Sequence, residues 1–295
     1  MQIYAIHAAP SVADQLVNQN QLCDDLGLCF RNLHTGERSM SGKIKQLLDE
    51  GKKVKVMSAG GLITPKMVDV IGSYGILDGI WFDQEHSAIP HQQMELLTIA
   101  CRATGLDSFA RVPPTDYCTI MRPLETGCSG VMIAQVRTLE QVETAVSWAK
   151  YPPVGVRGTY MSNAETRYGA TPLAEHVKRA NQERWVAIQI ETLEAVEIVD
   201  QIAAVDGVDW LFVGPSDLSV TLGVPGEALH PKCVAALGRV ADAAKASHIP
   251  WGALSGDLEH AQKCSELGCQ LHSVYSEANA LKIGLFAQQE AYKSL

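Results

Sequence analysis

Two apolar runs in this chain each lead into a carboxylate. One closes with Gln189-Ile190-Glu191-Thr192, and the other is followed by Gly214-Pro215-Ser216-Asp217-Leu218-Ser219. On neighbouring strands of one sheet, Glu191 and Asp217 would form a pair of oxygen ligands. Hard divalent cations, magnesium or manganese first and cobalt after them, suit such ligands and keep part of their water. Taken singly, each residue reads equally as a helix N-terminal carboxylate, which the helix dipole favours. Buried side by side, the two would repel each other without a cation.

Other polar residues stand at comparable places. Arg111 follows Ser108-Phe109-Ala110, His86 ends Asp83-Gln84-Glu85-His86, and Gln135 follows Ile133-Ala134. A guanidinium there grips a carboxylate or stabilises an enolate oxygen, or else forms a structural ion pair with Asp83 or Glu85. The His86 imidazole reads as a general base near neutral pH or as a solvated loop histidine. Gly214-Pro215, ahead of a short helix, offers backbone N–H groups to a carboxylate or makes a plain turn. Trp81 and Phe82 read as core.

The elements that position these residues recur along the chain. From Ile44 onward an apolar run, a polar or glycine-rich junction and an amphipathic helix alternate eight times, as βα units do. The strands fall at Val54 to Met57, Gly79 to Phe82, Ser108 to Ala110, Gly130 to Ile133, Trp185 to Ile190, Trp210 to Val213, Pro250 to Leu254 and Gln270 to Val274. Helix starts have recognisable chemistry: Thr64 precedes Pro65, and Thr138 with Gln141 spells a capping box. After Glu191 one apolar face runs from Ala195 to Ala203, and Gly207 ends it. The fold class predicted is α/β, a (β/α)8 barrel, in which function gathers at the C-terminal strand ends. Neither a dinucleotide fingerprint nor a Walker lysine supports a doubly wound sheet.

The junction from Lys150 to Arg184, which includes a helix from Leu173 to Glu183, has the length of a functional cover over the site. Residues 1 to 40 hold no sustained period and read as an N-terminal arm, leaving 41–295 as the barrel domain. The chain's 46% hydrophobic and 19% charged content fits an ordered core. A net charge of −9 without a basic stripe excludes a nucleic-acid partner. Eight cysteines without a C-x-x-C spell neither a zinc site nor a redox motif. With no leader pattern and no run of membrane length, the expected compartment is a reducing cytoplasm.

From about Ser41 to Phe286 the chain resembles the metal-dependent class II pyruvate aldolases of the HpcH/HpaI family. The similarity is carried by Phe82-Asp83-Gln84-Glu85-His86, Arg111-Val112-Pro113, Tyr151-Pro152-Pro153-Val154-Gly155-Val156-Arg157-Gly158, Gln189-Ile190-Glu191-Thr192 and Gly214-Pro215-Ser216-Asp217-Leu218-Ser219. It implies a barrel of the pyruvate-binding type, assembled as trimers or hexamers with the last helix exchanged between subunits. The implied reaction is retro-aldol cleavage of a 4-hydroxy-2-oxo acid to pyruvate and an aldehyde.

By the same resemblance, Glu191 and Asp217 match the metal ligands, Arg111 the pyruvate-binding and enolate-stabilising arginine, Gln189 a site glutamine, and His86 the base acting through water. Gly214, Pro215 and Ser216 are the candidate substrate-binding turn beside them, a reading made from the residues themselves. The family pairs this histidine with an aspartate; here Leu124-Glu125-Thr126-Gly127 supplies Glu125, one methylene longer. The family's proline after the fourth strand is also replaced, in Ile133-Ala134-Gln135-Val136, and residues 1 to 40 have no counterpart. Two rival readings use the same residues: a malyl- or citramalyl-CoA type lyase, and an oxo-acid binding protein without catalysis.

Overall fold

The computed structural model describes residues 42–294, so the arm expected over residues 1–40 lies outside them. The eight apolar runs form parallel strands that pair in chain order and close, β1 on β8, into a barrel. They are β1 (Val54–Ala59), β2 (Gly79–Asp83), β3 (Asp107–Val112), β4 (Gly130–Ile133), β5 (Trp185–Ile190), β6 (Trp210–Val213), β7 (Trp251–Leu254) and β8 (Leu271–Ser276). β4, β5 and β6 keep the bounds expected from sequence. β1, β2, β3 and β8 run further toward their C-terminal ends, where polar residues hide the strand signal.

Side chains alternate across each strand, because successive Cβ atoms point to opposite faces. One set fills the barrel: Val54, Val56, Trp81, Phe109, Met132, Trp185, Ala187, Trp210, Phe212 and Leu271 form a single buried cluster. The Trp185 and Trp210 rings lie 3.9 Å apart between centroids and Phe109 is 4.9 Å from Trp185, so aromatic bulk fills the interior. Gly130 faces the Trp185 ring so closely that a Cβ there would collide with it. At the strand-start end the plug comes from α1 (Lys43–Asp49), whose Ile44 and Leu48 join the interior cluster. Asp107 holds this helix by accepting the Ile44 N–H at 2.9 Å.

The second set, including Ile80, Phe82, Val112, Val131, Ile133, Ile188, Ile190 and Val213, meets the surrounding helices. These are α2 (Pro65–Tyr74), α3 (His91–Thr104), α4 (Tyr117–Thr126), α5 (Leu139–Ala149), α6 (Leu173–Glu183), α7 (Leu193–Glu197), α8 (Val199–Ala203), α9 (Pro215–Thr221), α10 (Pro231–Ala246), α11 (Leu258–Glu266) and α12 (Glu277–Ala291). The caps of α2 and α5 form as read, with Thr64 accepting from Met67 and Thr138 closing a full box with Gln141. The apolar face after Glu191 is realised as two short helices that break at Ile198 (φ −108°, ψ 16°). Among the described residues, no helix is long and apolar enough to cross a membrane.

The junction after α5 departs from expectation. Instead of covering the barrel mouth, it packs within this chain on the outer helices. Val156 N–H donates to Ser147 of α5 at 2.8 Å, and Gly158 N–H donates to the Tyr117 hydroxyl of α4 at 2.6 Å. The junction leaves the end of α5 at the strand-start side and runs along the outside of the barrel to the first residue of α4, and none of its residues lines the mouth cavity. It is pinned by a buried cluster in which Arg157 donates to Glu165 at 3.1 and 2.5 Å and Arg184 Nε lies 3.2 Å from Glu165.

Candidate functional site

Parallel register brings the strand exits together. Ile190 pairs with Val213, so the next residues, Glu191 and Gly214, leave the sheet side by side. They meet closely: a Cβ on Gly214 would run into Glu191 Oε2 and, at 2.7 Å, Gln189 Nε2. Asp217 lies in the first turn of α9. Glu191 is not the cap of the helix that follows it, because Thr192 caps α7 through Ala195 N–H, while Asp217 stands where the α9 dipole favours an anion without making a side-chain cap.

Glu191 is 1% exposed. Its Oε1 accepts the Gln135 backbone N–H at 2.9 Å and its Oε2 accepts the Gln189 amide. Burial pushes its pKa up to about 7, with Glu85 and Asp217 raising it further against those two hydrogen bonds. A buried carboxylate in this state is short of positive charge. Gln189 spends its amide nitrogen on Glu191, and among the described residues its buried Oε1 has no hydrogen-bond partner.

A second register pairs Asp83 with Arg111. Arg111, 8% exposed, donates Nε to Asp83 Oδ1 at 3.1 Å and Nη2 to Oδ2 at 2.7 Å. Its guanidinium also stacks 5.0 Å over the Trp81 ring. Burial works against the Asp83 charge, but Arg111 outweighs it and holds that carboxyl below its usual range. Glu85 completes the acidic group. Its Oε2 lies 3.3 Å from Arg111 Nε without a hydrogen bond, and its Oε1 lies 3.7 Å from His86 Nε2. Thus both ion pairs weighed for Arg111 exist, and among the described residues its other terminal nitrogen makes no hydrogen bond within the protein.

A cavity of about 200 Å³ at the barrel mouth is lined by Trp81, His86, Arg111, Gln189, Phe212, Gly214, Ser216, Asp217 and Leu254, with Glu191 packed against Gln189 and Gly214. Pro215 is buried and fixes the turn between Gly214 and Ser216. The structure therefore gathers His86, Arg111, Gln189, Glu191, Gly214, Ser216 and Asp217. Trp81, read as core, is buried and also forms a wall. Phe212 and Leu254 were missed from sequence; the signal was their place at inward-facing positions near the ends of β6 and β7.

Glu125 is the exception. It lies in the last turn of α4, whose end leads back to the start of β4, and it lines a separate cavity with His91, Arg102, Arg122, Tyr160 and Asn163. Burial raises its pKa, against the pull of Arg157. The carboxylate beside His86 in this chain is Glu85 instead. Within this chain Glu125 does not reach His86, because a helix after β3 carries its C-terminal end away from the mouth.

A closed parallel barrel with a buried acidic and arginine site at its C-terminal mouth defines an enzyme of the (β/α)8 class. Residues 61–281 match the family model described as HpcH/HpaI aldolase/citrate lyase. The chain belongs to this family and is a lyase. Among curated relatives it is 32% identical to a hydroxypyruvate/pyruvate aldolase from Sagittula stellata, over 72% of this chain and 83% of that protein. It is 31% identical to a 5-keto-4-deoxy-D-glucarate aldolase from Escherichia coli, over 78% of this chain and 89% of that protein. Among solved structures, an HpcH/HpaI aldolase from Desulfitobacterium hafniense superposes with a TM-score of 0.80 at 31% identity, covering 85% of this chain and 97% of that one. The citrate synthase SbnG superposes with a TM-score of 0.76 at 26% identity, covering 85% and 98%.

Proposed function

We propose that this lyase is a divalent-metal-dependent aldolase that cleaves a 4-hydroxy-2-oxo acid to pyruvate and an aldehyde. The observation that carries this reading is the Glu191 carboxylate. It is buried at the exit of β5 with its pKa raised to about 7 by burial and by Glu85 and Asp217, and it packs against Gln189 and Gly214, which line the cavity together with Asp217 and Arg111. A cation held by Glu191 and Asp217 would offset that repulsion, and carboxylate oxygens suit an oxygen-preferring ion such as magnesium, manganese or cobalt. Bound there, such an ion supplies Lewis-acid polarisation of the substrate's 2-oxo group. The two curated relatives named above, both called aldolases, support the same reaction class.

The chain's own residues divide the remaining work. Arg111, locked by Asp83 and Trp81, binds the pyruvyl half and stabilises negative charge on the enolate oxygen. Gln189 orients Glu191, and its free Oε1 accepts from a group in the cavity. The Gly214-Pro215-Ser216 turn borders the place of the substrate carboxylate. His86, exposed at the rim, takes the 4-hydroxyl proton through a water and frees the aldehyde. Trp81, Phe212 and Leu254 keep the pyruvyl end out of bulk water.

Assembly belongs to the same reading. On α12, Leu281, Ile283, Leu285 and Phe286 are 55 to 61% exposed on more than one side of the helix, apolar surface that a trimer or hexamer would cover by exchanging this helix. A His86–Glu125 pair would then form between copies. The barrel domain at 41–295, an arm at 1–40 and a cytoplasmic setting for the free thiols complete the proposal. The decisive assay is pyruvate release with and without a chelator. Loss of activity on chelation, its return with manganese and its absence in Glu191→Gln are expected, and undiminished turnover by metal-free Glu191→Gln would sink the mechanism.

A further inference from the structure

At the exit of β4, Gln135 adopts φ +53°, a left-handed conformation that glycine enters freely and residues with side chains seldom do. That backbone places its N–H against Glu191 Oε1 at 2.9 Å. One residue later, the Val136 carbonyl accepts the Thr192 hydroxyl at 2.7 Å. The exits of β4 and β5 are therefore tied twice, on either side of Glu191. Glu191 and Thr192 are 1% and 2% exposed, so water does not replace either bond.

We infer that the Gln135–Val136 exit is a positioning device for the Glu191 carboxylate, and that its left-handed turn sets how tightly the site holds a divalent cation. The inference rests on Glu191 being a cation ligand. A carboxylate is free to rotate about its last torsion, and a ligand that must be frozen on binding loses affinity. A backbone N–H fixes one oxygen without a rotor of its own, while the Gln189 amide fixes the other. Groups of this kind behind metal ligands tune affinity by about ten- to a hundredfold. A left-handed residue with a side chain persists only where its surroundings over-determine it, and the two ties do so here.

The test measures Mn2+ binding to chelator-stripped protein by electron paramagnetic resonance of free Mn2+, beside thermal melts of each variant. Gln135→Gly and Gln135→Asn keep the turn accessible and should bind within about threefold of the wild type. Gln135→Val, β-branched and opposed to the turn, should bind about tenfold or more weakly. Thr192→Val should weaken binding in the same direction, and Thr192→Ser should restore it. If Gln135→Val does not fold, the Thr192 pair decides. Cooperatively melting Gln135→Val or Thr192→Val that binds Mn2+ like the wild type overturns the inference. A wild-type chain that binds no Mn2+, or Glu191→Gln that binds it undiminished, removes the underlying reading, and that result is distinct from a failure of the Gln135 series alone.

Discussion

Arg111 and Asp83 face each other across β3 and β2 as a fork on a carboxylate, with Nε on Oδ1 at 3.1 Å and Nη2 on Oδ2 at 2.7 Å. This pair fixes the guanidinium plane over Trp81 before any substrate arrives. Under the proposed function, charge developing in the cavity would meet an oriented cation that does not have to reorganise during the reaction.

Arg111→Lys keeps the charge and loses the planar fork. It should lower kcat for pyruvate release by about a hundredfold to a thousandfold. Asp83→Asn leaves Arg111 its length but removes the charged anchor, and should cost up to about a hundredfold through misorientation. Steady-state assays with matched thermal melts separate these losses from unfolding. Wild-type kcat in Arg111→Lys would refute the assigned role.

Cation binding should register as stability. An ion that binds only the folded chain adds about 2.7 kcal/mol at a hundred times its Kd, which is roughly 5–10 °C in Tm for a domain of this size. Differential scanning fluorimetry of stripped protein with added Mn2+ should show that rise. Glu191→Gln and Asp217→Asn should shift little, and an equal shift in both would place the ion elsewhere.

Gly214 has a steric reason to lack a side chain. A Cβ there would press on Glu191 Oε2 and Gln189 Nε2. Gly214→Ala should displace that pair, weaken Mn2+ binding by about tenfold or more, and still leave a folded barrel. Its near-UV circular dichroism should match the wild type while its metal titration does not. Unchanged affinity would show that the pair has room to yield.

The Glu165 cluster gives a pH signature away from the site. Burial alone would raise the Glu165 pKa, but Arg157 and Arg184 outweigh it and hold it below the usual carboxylate range. A depressed acid favours folding above its unfolded pKa of about 4.3, and that contribution disappears as pH falls through the lower folded value. Glu165→Gln should cost about 3–5 kcal/mol near neutrality, because it strands buried Arg157, and less in acid. Urea melts at pH 7 and below pH 4 should show the difference shrinking; a gap that grew in acid would reverse the sign.

Much of this architecture was legible in the chain because local rules dictated it. β-branched and aromatic runs marked the strands, Thr64-Pro65 and Thr138 with Gln141 marked helix starts, and the order of units implied a barrel. The apolar face after Glu191 is buried as read, but on two helices and not one, because periodicity records which side is apolar and does not record a backbone break such as Ile198. The junction after Lys150 was read as a cover from its length, while its contacts with Ser147 of α5 and Tyr117 of α4, which length does not encode, lay it along the outer helices.

By itself, the sequence determined the alternation that builds the barrel and the residue types at its strand ends, since hydrophobic period and turn chemistry act over a few residues. Only the tertiary structure decided which of those residues meet. Register set Ile190 against Val213 and Asp83 against Arg111, bringing Glu191 to Gly214 and locking the guanidinium. The same geometry sent Glu125 down α4 to a different cavity and bent Gln135 onto Glu191. Those are contacts between residues far apart in the chain, fixed by how the closed sheet staggers its strands, and no local pattern encodes that stagger.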